Sequence, residues 1–267
     1  MQILKEVYRK AKKKPAVIIF PESSDSRIKK AVKIIEKEKI AIPFLIQEKD
    51  DKTSLNESIK LLKEDKGDAI IGGASLGTAP LARVAFKFKK GLVSGNMLMV
   101  KNKEIYVFAD ISIKPEPNAN DLAIIAKGAG ELADLLKMKA KIAMLSFSTN
   151  KSANSASVRK VRKATEIAKR MKLNVEGEMQ LDAALVKWIG KSKFKESKIA
   201  GKANVLVFPN LDAGNIGYKL AERLGNFKAI GPILSNVSKQ VNILSRGCSV
   251  QDVVDLAAIT SLQCQKS

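Results

Sequence analysis

Short apolar runs alternate with stretches of helical period along the chain. Val17–Phe20, Ile42–Ile46 and Ala69–Ile71 have the length and branching of buried strands; the first ends at Pro21 and the third at Gly72-Gly73. Between and after them the spacing predicts helices. Asp25 or Ser26 can cap one that runs to about Glu38, a second covers Ser58 to Asp65, and a third runs from Ala79 to Lys90 with Pro80 in its first turn. The segment from Met1 to Lys14 reads as a basic helix. A second series follows. Asn96–Val100 and Glu104–Ala109 read as strands joined by Lys101-Asn102-Lys103, a hairpin. Leu122–Met138 is helical, Ile142–Leu145 a strand, and Val158–Met171 a helix after a Ser/Asn-rich loop. Met179–Val186 is helical or mixed, Val205–Phe208 a strand, Ile216–Leu224 a helix stopped by Gly225, and Ser249–Gln263 the last helix.

Strands alternating with helices indicate an α/β protein with mostly parallel sheets. Ligands in such folds bind where strand C-termini meet helix N-termini. The pattern contains no internal repeat and no long low-complexity linker, so composition alone places no domain boundary. The 45% hydrophobic content of 267 residues suffices for one large domain or two modest ones.

Charge and missing residue types narrow the chemistry. The chain carries 48 Lys+Arg against 27 Asp+Glu, a net charge of +21 that favours anionic partners. Lysines on solvated helix faces, as in Arg27–Lys39, account for most of it. Aromatics are only 5%, and neither zinc spacing nor an RNP-like segment nor basic heptads are found, so nucleic acid is not an expected partner. Histidine is absent, which excludes a Ser-His-Asp triad, a Cys-His pair and any histidine metal site. The two cysteines, Cys248 and Cys264, lack CxxC spacing, so neither a disulfide framework nor zinc is expected. No apolar run reaches ~18 residues, and the N-terminus lacks a signal-type apolar core; a cytoplasmic protein without membrane association is expected.

Four loops follow a strand and open a helix with small polar residues: Gly72–Thr78 leading to Arg83, Ser146–Ser157, Asn210–Asn215, and Ser245–Ser249. Each can present N–H groups and hydroxyls to an anion, and each can equally be an ordinary turn with its N-cap. The last is the richest. Ser245, Arg246 and Asp252 bring a hydroxyl, a guanidinium and a carboxylate to one helix N-terminus, which suits a phosphate or another oxyanion. Ser249-Val250-Gln251-Asp252 is also a capping-box pattern, so Asp252 reads as a cap or as a proton acceptor. Cys248 reads as a packed small residue.

These stretches together resemble the phosphate acetyl/butyryltransferase family. The matching residues are Val205–Lys219, Ile230–Leu234, Val241–Ser249, Phe108–Asp110 with Pro115–Pro117, Met144–Thr149, Gly177–Ala184 and Phe20–Glu22. Ser245-Arg246-Gly247-Cys248-Ser249 is more similar to the acetyl branch than to the butyryl branch. The resemblance implies reversible transfer of an acetyl group between acetyl-CoA and phosphate. It also implies two α/β domains with an active-site cleft between them, residues 1–90 with 238–267 and residues 91–237, and a homodimer. CoA would be a substrate, with no tightly bound cofactor and no metal. By the same resemblance Ser245 hydrogen-bonds the developing oxyanion, Arg246 holds the phosphate or carbonyl oxygen, and Asp252 takes the CoA thiol proton. Arg83 would bind CoA, and Ser148, Thr149, Asn215, Tyr218 and Lys219 would line the substrate and phosphate site. The readings left beside it are a butyryl or other short-chain acyltransferase and a non-catalytic acyl-CoA-sensing domain.

The chemistry sets a condition. A thiol near pKa 8.5 giving its proton to a carboxylate near 4 is uphill by about 6 kcal/mol, which the site must offset. Direct thiolate attack also needs no enzyme nucleophile. Three departures from the family stand out. The region around Ile59–Ile71 is shorter, without an equivalent of a further CoA-associated arginine. Lys151 stands near where a glycine is common, and Lys114 replaces the usual Asn or Asp before Pro115.

Overall fold

The computed structural model describes residues 2–48 and 50–265; Met1, Lys49, Lys266 and Ser267, which the expected N-terminal helix and first domain include, lie outside it. The chain divides into two compact units, Met1–Val93 with Ile230–Ser267, and Ser94–Ala229.

The first unit is built on four strands, β1 (Val17–Phe20), β2 (Ile42–Leu45), β3 (Ala69–Gly72) and β10 (Gln240–Ile243), in the order β10-β3-β1-β2 with every neighbour parallel. The helices are α1 (Gln2–Ala11), α2 (Ser26–Lys37), α3 (Asp51–Lys63), α4 (Thr78–Lys87) and α10 (Val250–Cys264). Every residue of α10 from Val253 to Leu262 is buried, and the helix packs on α1, α2, β1, β3 and β10. A helix buried on all sides belongs at the centre of a unit. Fully buried Leu256 and Ile259 contribute about 1.5–3 kcal/mol each by area. Its polar residues are paired: Tyr8 donates to Asp255, and Asn242 of β10 donates to Thr260 Oγ1 at 2.7 Å.

The second sheet runs β7-β6-β8-β5-β4-β9. Its strands are β4 (Lys89–Lys101), β5 (Glu104–Ala109), β6 (Ile142–Leu145), β7 (Val175–Met179), β8 (Val205–Val207) and β9 (Lys228–Val237). β4 and β5 form the antiparallel hairpin, with Asn102 at φ +54 in its turn, while β5–β8, β8–β6 and β6–β7 are parallel. Helices α5 (Ala119–Leu135), α6 (Ala156–Arg170), α7 (Leu181–Leu185), α8 (Lys187–Lys193) and α9 (Leu211–Arg223) complete the unit. Met97, Phe108, Leu145, Leu206, Phe208 and Tyr218 lie in one core cluster, where the rings of Phe108 and Phe208 sit 5.3 Å apart. The mostly parallel α/β class is as the alternation implies.

Several boundaries differ from the sequence reading, each for a local reason. α3 starts at Asp51 rather than Ser58 because Asp50 caps it, accepting from the N–H groups of Lys52 and Thr53. The third helix ends at Lys87, and residues from Lys89 onward already form β4. α9 starts at Leu211 rather than Ile216. Asn210 caps it, and Gly214 and Gly217 lower its apparent helix propensity. The helix ends before Gly225, with Leu224 as the C-cap, a Gly225 Cβ only 2.5 Å from Ala221 O, and Asn226 at φ +55. β9 carries Pro232 inside a strand, which is tolerated because β9 is an edge. β7, also at an edge, was hidden by Glu176 and Glu178, and β10 by the polar Asn242 within a short run.

Candidate functional site

In the first unit the chain leaves β10 at Ile243 and enters α10 at Val250. The intervening loop is seated on β3 and its following turn. The N–H of Leu244 donates to Gly72 O at 2.7 Å. Gly73 has φ +116 and lies so close to Leu244 that a Cβ would stand 2.6 Å from the Leu244 carbonyl oxygen. Only glycine fits this turn. The loop then presents Ser245, Arg246 and Gly247 to solvent. Ser245 Oγ accepts from Gly247 N at 3.2 Å, and the Arg246 guanidinium lies over Gly77, whose φ is +77 and whose absent Cβ would come 3.1 Å from Nη2.

Ser249 and Asp252 form a capping box. Asp252 N donates to Ser249 Oγ at 3.2 Å, and Asp252 Oδ2 accepts from Ser249 N at 2.9 Å and from its hydroxyl at 2.8 Å. The capping reading of Asp252 is therefore realised in the structure, with the carboxylate half-buried one turn from Ser249. Cys248 is buried, and burial pushes its thiol up to about 11 although Arg27 pulls the other way. Arg83 is exposed on α4.

Two residues given no role in the sequence reading hold this loop system. Glu22, fully buried after β1, fills the anion-binding turn at the start of α4. Its Oε2 accepts from Gly73 N at 2.8 Å and Ala74 N at 3.0 Å, and its Oε1 from Ser75 N at 2.8 Å, Leu76 N at 2.7 Å and Ser75 Oγ at 2.9 Å. The Gly72–Thr78 loop, read as either an anion-presenting turn or an ordinary one, thus holds an internal carboxylate. Arg27, at the second position of α2, reaches across to Arg246 O at 2.6 Å, Cys248 O at 3.1 Å and Ala74 O at 3.0 Å, and pairs with Asp25 at 2.6 Å.

The second unit carries the remaining candidates. Ser148 and Thr149, at 0% and 3% exposure, turn inward. Ser148 Oγ donates to Glu178 Oε1 at 2.8 Å and accepts from Ala153 N at 3.0 Å, while Thr149 Oγ1 accepts from Gln180 N at 2.9 Å. Glu178 is buried, and Arg162 grips both its oxygens, Nε to Oε2 at 2.7 Å and Nη2 to Oε1 at 2.8 Å. Burial opposes ionisation, but Arg162, Ser148 and Lys151 N together lower the carboxyl to about 2. Asn215 Nδ2 donates to Ile111 O at 3.0 Å, and Tyr218 belongs to the core with Lys219 Nζ 4.9 Å from its ring centre. Lys219 itself is exposed. Asp110 accepts from the N–H groups of Gly95, Ser112, Ile113 and Lys114 at 2.8–3.2 Å. The signals for Glu22, Arg27 and Glu178 were slight: a carboxylate just after a strand, a cation at a helix start where the dipole disfavours it, and an acidic residue at the end of a strand.

The fold and these loops define an α/β protein of two units whose strand-to-helix turns are ordered by buried carboxylates, with a hydroxyl and a guanidinium left exposed before the last helix. The family model for phosphate acetyl/butaryl transferase matches residues 2–63 and 57–261, and the chain belongs to that family. A phosphate acetyltransferase from Thermoanaerobacterium thermosaccharolyticum is 39% identical, with 99% of this chain and 100% of that one covered. That alignment spans 328 positions against the 267 residues present here, so the relative is the longer chain. A crystal structure of a phosphotransacetylase from Streptococcus pyogenes superposes with a TM-score of 0.91 at 34% identity, covering 100% of this chain and 99% of that one. A phosphotransacetylase from Staphylococcus aureus gives 0.87 at 32% identity over 98% of each.

Proposed function

We propose that this protein is a phosphate acetyltransferase that moves an acetyl group reversibly between acetyl-CoA and inorganic phosphate. The observation that carries the reading is the Ser245–Ser249 loop: an exposed hydroxyl and guanidinium on a clamped backbone, with Asp252 in the next turn. Family membership and the names of the relatives support the acetyl substrate. CoA enters as a substrate, together with acetyl phosphate or phosphate.

In the direction of thioester formation, the CoA thiol gives its proton to Asp252 and the thiolate sulfur attacks the acetyl carbon of acetyl phosphate. The new C–S bond leaves a tetrahedral oxyanion, which Ser245 Oγ–H and the Arg246 guanidinium stabilise. Collapse breaks the bond from the acetyl carbon to the phosphate oxygen; the proton taken by Asp252 passes to the departing phosphate, which leaves as hydrogen phosphate and restores the carboxylate. Positioning and oxyanion stabilisation supply the acceleration, because no covalent enzyme intermediate forms. Arg83 binds the anionic part of CoA. In their own unit Ser148, Thr149, Asn215 and Tyr218 act by ordering loops and helix, and Lys219, exposed on α9, offers a cation to phosphate.

Thioester formation followed at 233 nm tests the reading, with acetyl phosphate and butyryl phosphate as competing donors. Turnover preferring acetyl phosphate, lost in Ser245→Ala, Arg246→Ala and Asp252→Asn, is expected. Preference for butyryl phosphate moves the assignment to a longer-chain acyltransferase. Saturable acetyl-CoA binding without turnover makes the chain a sensing domain. We also propose a homodimer. Ile216, Leu220 and Leu224 recur at helical spacing along α9 and its C-cap, and they are 58%, 52% and 79% exposed. Light scattering at the monomer mass would overturn this. A cytoplasmic location fits soluble anionic substrates; among the described residues no helix is long and apolar enough to cross a membrane.

A further inference from the structure

Arg27 is a cation in the first turn of α2, where the helix dipole disfavours positive charge by about 0.3–1 kcal/mol. Asp25, the N-cap of the same helix, offsets this through Nε at 3.1 Å and Nη2 at 2.6 Å. Asp25 also orients the guanidinium, which leaves its other N–H groups aimed at backbone carbonyls. Nη1 donates to Arg246 O at 2.6 Å and Cys248 O at 3.1 Å, and Nη2 donates to Ala74 O at 3.0 Å. One planar group thus joins three segments that are distant in sequence: the start of α2, the turn before α4 and the loop before α10. The turn before α4 is itself fixed by Glu22 through four N–H groups. That turn also supplies Gly77, against which the Arg246 guanidinium lies.

We infer that Arg27 is a positioning residue for acyl transfer, setting the backbone from which Ser245 and Arg246 reach the reacting atoms. The inference rests on the acetyltransferase reading. Arg27 does not touch substrate in this role; it acts through the Arg246 and Cys248 carbonyls. A lysine keeps the charge but offers a single ammonium, which cannot span Asp25, Ala74 O, Arg246 O and Cys248 O from one point. A displacement of about 1 Å at a catalytic group can cost on the order of 100-fold in rate.

The experiment compares wild type, Arg27→Lys and Arg27→Ala in the full chain, by steady-state kinetics of acetyl-CoA formation and by thermal melting. Arg27→Lys is expected to lower kcat about 100-fold while the KM for CoA moves less than about threefold, because Arg83 stays in place. Millimolar guanidinium is expected to restore part of the kcat of Arg27→Ala. A merely structural role would lower the melting temperature and leave kcat per folded molecule unchanged, without rescue, and that result overturns the inference. If neither variant folds, Asp25→Asn decides. Asparagine caps α2 equally well but loosens the guanidinium, so a several-fold fall in kcat is expected and an unchanged kcat overturns the proposal. A folded wild type that makes no acetyl-CoA removes the acetyltransferase reading and this inference with it. An active wild type with an equally active, folded Arg27→Lys overturns this inference alone.

Discussion

Replacing Glu22 with glutamine tests whether an internal carboxylate, rather than a ligand, organises the turn before α4. The side chain keeps its size, and one oxygen becomes an NH2 group. In the wild type, Oε2 serves the buried N–H groups of Gly73 and Ala74, and Oε1 serves those of Ser75 and Leu76 plus the Ser75 hydroxyl. Glutamine can keep only one pair. It orients its oxygen toward the fully enclosed Gly73 and Ala74 and turns NH2 toward Ser75 and Leu76. Two donors then face a donor, at about 1–3 kcal/mol each when buried. Ser75 is exposed, so water recovers part of this, and the net loss is about 2–3 kcal/mol.

Urea unfolding followed by far-UV circular dichroism reads that loss directly. With a slope of about 2–3 kcal/mol/M, the midpoint falls by roughly 1 M. Ser75→Ala, which removes the hydroxyl but neither backbone donor pair, is the control and is expected to shift the midpoint far less. A Glu22→Gln midpoint within about 0.2 M of wild type would refute the reasoning, since the turn would then not depend on a second acceptor oxygen.

Three further outcomes follow from the same geometry. With its thiol pushed up to about 11, Cys248 is about one part in a thousand ionised at pH 8, so labelling by a disulfide reagent should be slow. Cys248→Ala should stay within about threefold of wild-type kcat, and a loss near 100-fold would mean that the sulfur takes part in the reaction. The folded state lowers Glu178 from 4.5 to about 2, so its contribution to stability is full above pH 4.5 and is lost as pH falls toward 2. Arg162→Met should flatten that part of the melting-temperature profile, and an unchanged acid slope would contradict the pairing. Lys151 takes φ +71, which costs a non-glycine residue about 1–2 kcal/mol, while glycine's extra chain entropy returns about 0.5–1. Lys151→Gly should therefore raise the melting temperature by a few degrees, about 2–4 °C per kcal/mol in a chain of this size, and a lowered value would show that the lysine side chain stabilises the loop.

Most of the fold was legible because the central strands are short apolar runs. Val17–Phe20, Ala69–Gly72 and Ile142–Leu145 appear almost where the pattern put them. What was not legible has a common cause: the edges of the sheets need not be apolar. β7 carries two glutamates and β9 a proline, and neither reads as a strand by alternation. For the site, Ser249-Val250-Gln251-Asp252 announced its capping box, yet a pattern of residue types does not tell a cap from a base, since the same carboxylate can serve both. Lys151 was marked by standing near a glycine common in the family, and the left-handed backbone of Asn150 and Lys151 gives a physical reason for glycine in this turn.

The unread part of the site concerns which turns are open to an outside anion. Four loops had the small polar composition of phosphate-binding turns. At Gly73–Leu76 the donors are taken by Glu22, and at Ser148–Ala153 the loop folds around Glu178, with Lys151 N and the Ser148 hydroxyl committed to it. Asn210 and Asn215 are used on Ala213 N and Ile111 O. A turn already neutralised by a buried carboxylate repels a second anion rather than attracting it, so the Gly73–Leu76 and Ser148–Ala153 loops serve as rigid mounts, while the Asn210–Asn215 loop has both amide side chains committed to the backbone. At Ser245–Ser249 the capping box occupies the helix end, but no internal carboxylate is bound to the Arg246 guanidinium by a charge-assisted hydrogen bond or ion pair among the described residues. Arg27 meets this loop through the Arg246 and Cys248 carbonyl oxygens and, at 3.8 Å, the Cys248 sulfur, so it adds order and positive field without neutralising Arg246. An anionic acyl donor should therefore be drawn to Arg246 in preference to the other three turns, which is why Arg246→Ala should weaken acetyl phosphate binding as well as turnover while Glu22→Gln acts chiefly through stability.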